Sequence, residues 1–161
     1  MKFRKLAASA VAVVMAVLGL GLAAASPASA ATGSWTSYPN STNPITSTQD
    51  SWFWDCGATR EFDTDAYAQA CAIRSRSDNA KVRMAVIVRN NRSGLYGAEV
   101  AAILKDDDNR NLGRWECGRS GVGSHSWSVC YGSWVSSPYP SWVRTTSTGV
   151  NGQAIANSNG V

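Results

Sequence analysis

The sequence contains one histidine, no two cysteines in C-x-x-C spacing, and no long hydrophobic run beyond residue 25. Any serine–histidine or cysteine–histidine mechanism would have to use His125, and a lone histidine beside a loop is more often a surface residue than a triad member. The missing C-x-x-C spacing disfavours a structural zinc site. Without a later apolar run, nothing after the first segment is long enough to span a bilayer as a helix.

The first segment has the three parts of a secretory signal peptide. It opens with basic residues up to Lys5, continues as an apolar run from Leu6 to Ala25, and ends in Ala28-Ser29-Ala30. A membrane anchor is the alternative, but the small residues favour cleavage after Ala30. Residues 1–30 are therefore predicted to be removed, which leaves a secreted, extracellular protein of 131 residues, the size of one domain.

Lysine is scarce and the mature chain is almost neutral. Cleavage removes Lys2, Arg4 and Lys5, so 12 cationic side chains remain against 11 acidic ones, compared with 15 and 11 in the whole chain. A near-neutral surface gives no electrostatic reason to expect nucleic acid or an anionic membrane as a partner.

The chain has four cysteines, Cys56, Cys71, Cys117 and Cys130. An even number in an exported protein predicts two disulfides, for which three pairings are possible. The pairing Cys56–Cys71 and Cys117–Cys130 is favoured because each pair brackets a short segment with a turn. Loops of this size stabilise the fold by about 3 kcal/mol each if the bridge acts by restricting the unfolded chain.

Residues 31–49 contain no charged side chain and are rich in serine, threonine and asparagine. Pro39 and Pro44 favour extended backbone, and the segment has too little apolar surface to fold alone. It is predicted to be an extended polar arm that precedes a disulfide-stabilised β domain at residues 50–161. Either it is a linker left by processing, or Trp35, Tyr38 and Ile45 anchor it to a partner protein.

Residues 81–105 alternate between polar and apolar side chains on both sides of Asn90-Asn91-Arg92-Ser93-Gly94. This pattern predicts a β-hairpin, and the core is expected to form on it. About seven short strands separated by turn signals predict an all-β fold, an antiparallel β-sandwich that is immunoglobulin-like or similar. In the strand after His125, Trp127, Val129 and Tyr131 share a face opposite to Cys130, which predicts either a bulge or a strand covered on both faces.

Seven tryptophans are a large number for a domain of this size. Most are expected in the core, including Trp52 and Trp54 beside Cys56 and Trp115 beside Cys117. Trp134, Tyr139 and Trp142 surround Pro138 and Pro140 and are predicted to be exposed, as is Trp35. Tryptophan and tyrosine concentrate at protein interfaces and also stack on sugar rings. The predicted partner-binding residues are Trp35, Tyr38, Ile45, Trp134, Tyr139 and Trp142.

No catalytic, metal-binding or cofactor-binding residues are predicted. Glu99 and Glu116 lie opposite the apolar faces of their strands, and nothing marks a carboxylate pair of the kind that a glycosidase needs. Asp106-Asp107-Asp108-Asn109 is the best candidate for calcium, but it lacks the spacing of a calcium loop, so a solvated turn is the default.

The alanine-rich cleavage site, the excess of arginine over lysine, the four cysteines and the tryptophan-rich strands resemble those of small secreted β-sandwich proteins of actinobacteria. An arm carrying Trp35, Tyr38 and Ile45 before a domain with two disulfides is similar in organisation to the adaptor subunit of the umbrella toxin particles of Streptomyces. In that family the adaptor joins a lectin subunit to a large toxin-bearing stalk. The resemblance implies a protein that binds and does not catalyse.

The first functional prediction is therefore a secreted, non-enzymatic protein-interaction module, an adaptor in an extracellular toxin complex with a secreted protein as its partner. One alternative is a carbohydrate-binding module that uses the region of Trp134 and Trp142. Another is a secreted protease inhibitor in which the turn at residues 118–124 presents Arg119.

Overall fold

The computed structural model describes residues 30–137 and 141–161. Within them lie twelve strands and one short 3₁₀ helix, Thr46–Thr48. The strands are, in chain order, β1 (Ala31–Thr32), β2 (Ser34–Tyr38), β3 (Trp52–Cys56), β4 (Arg60–Asp63), β5 (Ala66–Ser75), β6 (Lys81–Asn90), β7 (Tyr96–Asp106), β8 (Asn111–Val122), β9 (Ser126–Tyr131), β10 (Val135–Ser136), β11 (Val143–Val150) and β12 (Gln153–Ala154). The predicted signal peptide lies outside the described residues except for Ala30.

The strands form two sheets. The first sheet has the order β1-β8-β7-β11-β12, and the second has the order β2-β9-β6-β5-β3, with β10 beside β6 and β4 beside β5. Every pair is antiparallel except β1 with β8, which is parallel. The predicted all-β sandwich is confirmed. In the described part of the chain no helix is long and apolar enough to cross a membrane.

The core lies between the sheets and consists of the alternate side chains of each strand that point toward the opposite sheet. Val82, Met84, Val86 and Val88 of β6 meet Tyr96, Ala98, Val100, Ala102 and Leu104 of β7, and all nine are buried in one cluster. Trp115 of β8 completes this layer: a Cβ on Gly113 or Gly132 would lie within 2.7 Å of its ring atoms. The predicted inward faces of both runs are thus correct.

The predicted hairpin is wrong, because β6 belongs to the second sheet and β7 to the first. Strand β6 is buried on both faces from Met84 to Val88 and has β5 and β9 as its neighbours there, so no edge is left for β7. The connection crosses between the sheets, and Asn90 holds it: its Nδ2 donates to the carbonyl oxygens of Gly94, Val122 and Gly123 at 2.7, 3.0 and 3.0 Å.

The predicted disulfide pairing is confirmed. Cys56–Cys71 joins neighbouring strands β3 and β5 within the second sheet. Cys117–Cys130 joins β8 of the first sheet to β9 of the second, so it ties the two layers together. Strand β9 is covered on both faces, with Cys130 in the core and Val129 outside it, so no bulge is needed to place Cys130.

The predicted arm, residues 31–49, lies against its own domain in the structure. Strand β1 pairs with β8 and strand β2 pairs with β9, so the segment adds an edge to each sheet. Trp35 packs on the core between the sheets, and its Nε1 donates to the carbonyl oxygen of Gly118 at 2.7 Å. These pairings satisfy backbone groups that the polar sequence could not satisfy alone. Contact between this segment and a partner stays a prediction.

Candidate functional site

A second apolar layer covers the outer face of the second sheet, away from the sandwich core. Alternation along β5, β6 and β9 directs every second side chain outward, and six of these are buried: Cys71, Ile73, Ala85, Ile87, Val129 and Tyr131. Partly buried side chains pack over them, among them Tyr38, Ile45, Trp52, Trp54, Trp127 and Trp134. This layer is separate from the core between the sheets, and an aromatic, apolar face outside the core is typical of a binding surface.

Five residues of this face form what we call the aromatic cluster: Trp52, Trp54, Arg83, Tyr131 and Trp134. The ring centroid of Trp52 lies 6.0 Å from that of Trp54, 5.9 Å from that of Tyr131 and 6.0 Å from that of Trp134. The rings meet edge to face or tilted, the arrangement that aromatic quadrupoles prefer. The three tryptophans are half-buried, so each keeps part of its ring open to solvent.

Arg83 lies at the centre of the cluster. Its guanidinium carbon is 4.0 Å from the ring centroid of Tyr131, 4.2 Å from that of Trp52 and 4.4 Å from that of Trp134. Burial lowers the pKa of Arg83 to about 10, so the group stays cationic at neutral pH. Among the described residues its Nε has no hydrogen-bond partner, and no carboxylate lies within ion-pair distance of it.

Tyr131 cannot supply the missing negative charge. Burial raises the pKa of Tyr131, and a hydrogen bond with Tyr38 raises it further; the two hydroxyl oxygens are 2.9 Å apart. Tyr131 is therefore neutral at physiological pH. Within residues 30–137 and 141–161, the cation of Arg83 is partly desolvated and is contacted by ring faces without a charged partner, which is a costly arrangement for an isolated domain.

Residues 39–51 form a strap over this same face. Strand β2 lies at one edge of the second sheet and β3 at the other, and the inner face is covered by the first sheet. The connection must therefore cross the outer face. It is held there by hydrogen bonds from Trp54 Nε1 to Thr48 Oγ1 at 2.9 Å and from Arg76 Nε to the carbonyl oxygen of Gln49 at 2.7 Å.

Between the strap and the sheet is a pocket of about 320 Å³, which we call the strap pocket. Asn43 and Ile45 of the strap line one side, and Ile87, Arg89 and Trp127 of the sheet line the other. Thr59, Tyr67, Ala68, Gln69 and Asn91 complete the lining. It lies at the end of the strands opposite to Arg83, since Arg89 is six residues further along β6.

The predicted partner-binding residues do not form one surface. Tyr38, Ile45 and Trp134 come together on the outer face of the second sheet, whereas Trp35 packs on the sandwich core. Trp142 is 64% exposed and lies outside this layer, in a groove of about 500 Å³ that it lines with Phe53, Val161 and Trp54, the one member of the aromatic cluster that reaches the groove. Tyr139 lies outside the described residues.

Sequence reasoning missed Trp52, Trp54, Arg83 and Tyr131 as members of a site. The alternation of Trp52, Trp54 and Cys56 is visible in the sequence, but tryptophans beside a disulfide cysteine predict core packing. Arg83 gave no signal, because an arginine between Val82 and Met84 normally faces solvent. Its surroundings arise from β3, β5, β6 and β9 lying side by side, which the sequence does not display.

The turn predicted at residues 118–124 is mostly strand. Strand β8 continues to Val122 and pairs with β7 through Ser120, Gly121 and Val122. Arg119 lies inside β8, at a register shift between the paired residues Cys117 and Ser120, and its guanidinium lies against Gly97 of β7. It is not on a protruding loop, so its position does not favour the protease-inhibitor hypothesis. His125 is exposed at a turn, with φ of 49°.

The carboxylates of Asp106, Asp107 and Asp108 lie within 4.8 Å of one another. Arg110 already pairs with two of them: its Nε is 2.7 Å from Asp106 Oδ2, and its Nη2 is 3.2 Å from Asp108 Oδ2. The three carboxylates therefore belong to a turn in which Arg110 neutralises part of the negative charge.

The contacts between Asp106 and Arg110 predict that the protein loses part of its stability at acid pH. Burial of Asp106 acts to raise its pKa, but its bonds to Arg110 outweigh burial and the net pKa is lowered. Because the pKa of Asp106 is lower in the folded state than in the unfolded state, where it is about 3.9, the ionised carboxylate stabilises the fold above that pH. This stabilisation is lost as the pH falls through the pKa of the folded state. The loss of stability between pH 7 and pH 3 should therefore be smaller in Asp106→Asn than in wild type, measured by urea unfolding. An equal loss in both proteins would contradict the assignment, and Asp107→Asn is the control.

Comparison of the chain with protein-family models, curated proteins and solved structures gives no match.

Proposed function

We propose that the protein is a secreted, non-enzymatic protein-interaction module that binds a secreted protein partner through the aromatic cluster. The observation that carries the proposal is Arg83, a partly buried cation that contacts three aromatic rings and has no carboxylate within ion-pair distance in the part of the chain that the structure describes. Such a group costs folding free energy, and an acidic side chain from a partner would offset that cost.

The composition of the cluster supports the same function. Tryptophan, tyrosine and arginine are the residues most enriched among interface positions that dominate binding energy. Here three tryptophans, one tyrosine and one arginine occupy adjacent positions on a rigid sheet. Because β-strands and the strap already fix the rings, little conformational entropy remains to be lost on binding.

The partner is proposed to present an acidic side chain flanked by apolar ones, since this matches a central cation ringed by aromatics. Two disulfides fit an extracellular protein, and export through the N-terminal segment is part of the proposal. A role as the adaptor of an extracellular toxin complex rests on the similarity in organisation to that family.

The test is affinity capture from culture supernatant with tagged wild-type protein and with Trp134→Ala. Wild type should retain a stoichiometric secreted partner, and the variant should bind it at least about 30-fold more weakly, the effect of losing a central interface tryptophan. Leu95→Ala is the matched control, because Leu95 is 78% exposed and lies outside the cluster.

If Trp134→Ala still binds the captured partner and Trp142→Ala does not, the interface is the groove lined by Phe53 and Trp142, and binding through the aromatic cluster is contradicted. If wild type elutes alone, the interaction function is contradicted. Circular dichroism of each variant confirms that it is folded.

A further inference from the structure

The strap pocket lies on the same sheet face as the aromatic cluster but has a different lining. Its volume of about 320 Å³ is at the lower end of the range of about 300–1,000 Å³ typical of small-molecule sites. Ile87 and Ile45 give it an apolar floor and roof, and Trp127 gives it an aromatic wall. A pocket this small fits a ligand of one or two rings and not a protein segment.

Several polar groups that line the pocket have no partner in the described part of the chain. The side-chain polar groups of Tyr67, Asn91 and Trp127 make no hydrogen bond there, and these three side chains are half-buried, so their polar groups can be reached by a ligand. Gln69 donates its amide to the carbonyl oxygen of Gly57 at 2.7 Å, which leaves its own side-chain oxygen available as an acceptor. Donors and acceptors spread around an aromatic ring are what a polyhydroxylated ring compound requires.

The pocket also carries one positive charge. Arg89 lies over Trp127, with its guanidinium carbon 4.7 Å from the ring centroid, and no aspartate or glutamate is among the lining residues. Within the described residues Arg89 forms no ion pair. The stacking fixes the orientation of the guanidinium, and a planar guanidinium binds a carboxylate through two parallel hydrogen bonds.

We propose that the strap pocket binds a small saccharide that carries a carboxylate, such as a hexuronic acid unit. The sugar ring packs between Trp127 and the apolar floor, its hydroxyls bond to Asn91 and Gln69, and its carboxylate pairs with Arg89. The site differs in location and in ligand from the surface proposed to bind protein, and it does not use Trp134 or Trp142.

The strap makes this site possible. Asn43 and Ile45 reach the pocket because residues 39–51 cross the sheet, and Asn43 Oδ1 is engaged by the backbone N–H of Ile45 at 2.9 Å. Residues 39–49 carry no charged side chain, so the part of the strap that lines the pocket contributes the amide of Asn43 and the apolar side chain of Ile45 and adds no charge that competes with Arg89.

The test is isothermal titration of the mature chain with glucuronate and galacturonate. Glucose serves as the neutral control, and acetate as the carboxylate without a ring. One of the uronates should bind, while glucose and acetate should bind at least about 10-fold more weakly, the effect of losing either the charge contact or the ring contact. Arg89→Gln should weaken uronate binding by a similar factor.

Two further variants keep the result interpretable. Arg144→Gln, an exposed arginine on the first sheet, should bind the uronate as wild type does. Trp134→Ala should also bind it unchanged, so this test can fail without the protein-interaction test failing. The proposal is overturned if neither uronate binds, if glucose or acetate binds equally well, or if folded Arg89→Gln and Asn91→Ala both keep wild-type affinity.

Discussion

Replacing Arg83 with methionine is expected to weaken partner binding by about 30-fold or more, since removing one member of a buried charge pair costs about 2–5 kcal/mol of binding free energy. The same change should leave the free energy of unfolding within about 1 kcal/mol of wild type. Methionine fills a similar volume and contacts the rings of Trp52, Tyr131 and Trp134 through its thioether. The variant lacks the stabilising cation–π contacts, but it also avoids the free-energy cost of holding an unpaired cation away from water, so the two effects on stability oppose each other.

Titration calorimetry with the captured partner and urea unfolding of the free protein would measure the two effects. Arg114→Met is the control, because Arg114 is exposed and pairs with Glu116 at 2.8 Å on the first sheet. A variant that loses several kcal/mol of stability yet binds the partner with wild-type affinity would show that Arg83 is a structural residue.

Removing the disulfide between the sheets should have a large effect on stability. Cys117 and Cys130 are separated by 13 residues, so replacing both with alanine should lower the free energy of unfolding by about 2–4 kcal/mol. This is the bridge that links β8 to β9, and the backbone of Gly33 passes directly over it: a Cβ there would lie 2.7 Å from Cys117 Sγ.

Two readouts check this expectation. Urea unfolding gives the stability, and hydrogen exchange should show faster opening of β1 and β2, which pack beside the lost bridge. The double alanine variant at Cys56 and Cys71 is the comparison, because that bridge closes a similar loop but lies within one sheet. Unchanged stability together with unchanged exchange in β1 and β2 would contradict the role given to Cys117–Cys130.

Much of the fold could be predicted from local patterns. Period-two alternation in residues 81–105 identified the inward faces of β6 and β7, and short separations between cysteines identified their pairing. Which strand pairs with which is set by contacts between distant segments, and alternation is the same in a hairpin as in a crossover between sheets. For this reason the alternation wrongly predicts a hairpin at the connection after Asn90, and the glycines of residues 118–123 wrongly predict a turn where β8 continues to Val122.

The candidate site was predictable only in part. Trp134, Tyr38 and Ile45 were chosen for their residue types and do lie on the outer face of the second sheet. Arg83 was not chosen, because its meaning depends on three rings contributed by β3, by β9 and by the residues that follow β9. The sequence predicts an extended polar arm at residues 31–49, either a linker or a segment anchored to a partner, because a polar stretch with two prolines does not reveal that β2 and β3, on either side of the strap, lie at opposite edges of one sheet.

The measurement that tests the central claim most directly is oxidative footprinting of the tryptophans, read by mass spectrometry, with and without the captured partner. Binding through the aromatic cluster predicts that oxidation of Trp52 and Trp134 falls in the complex, while oxidation of Trp142 stays as in the free protein. Protection of Trp142 with no change at Trp52 and Trp134 would contradict the account.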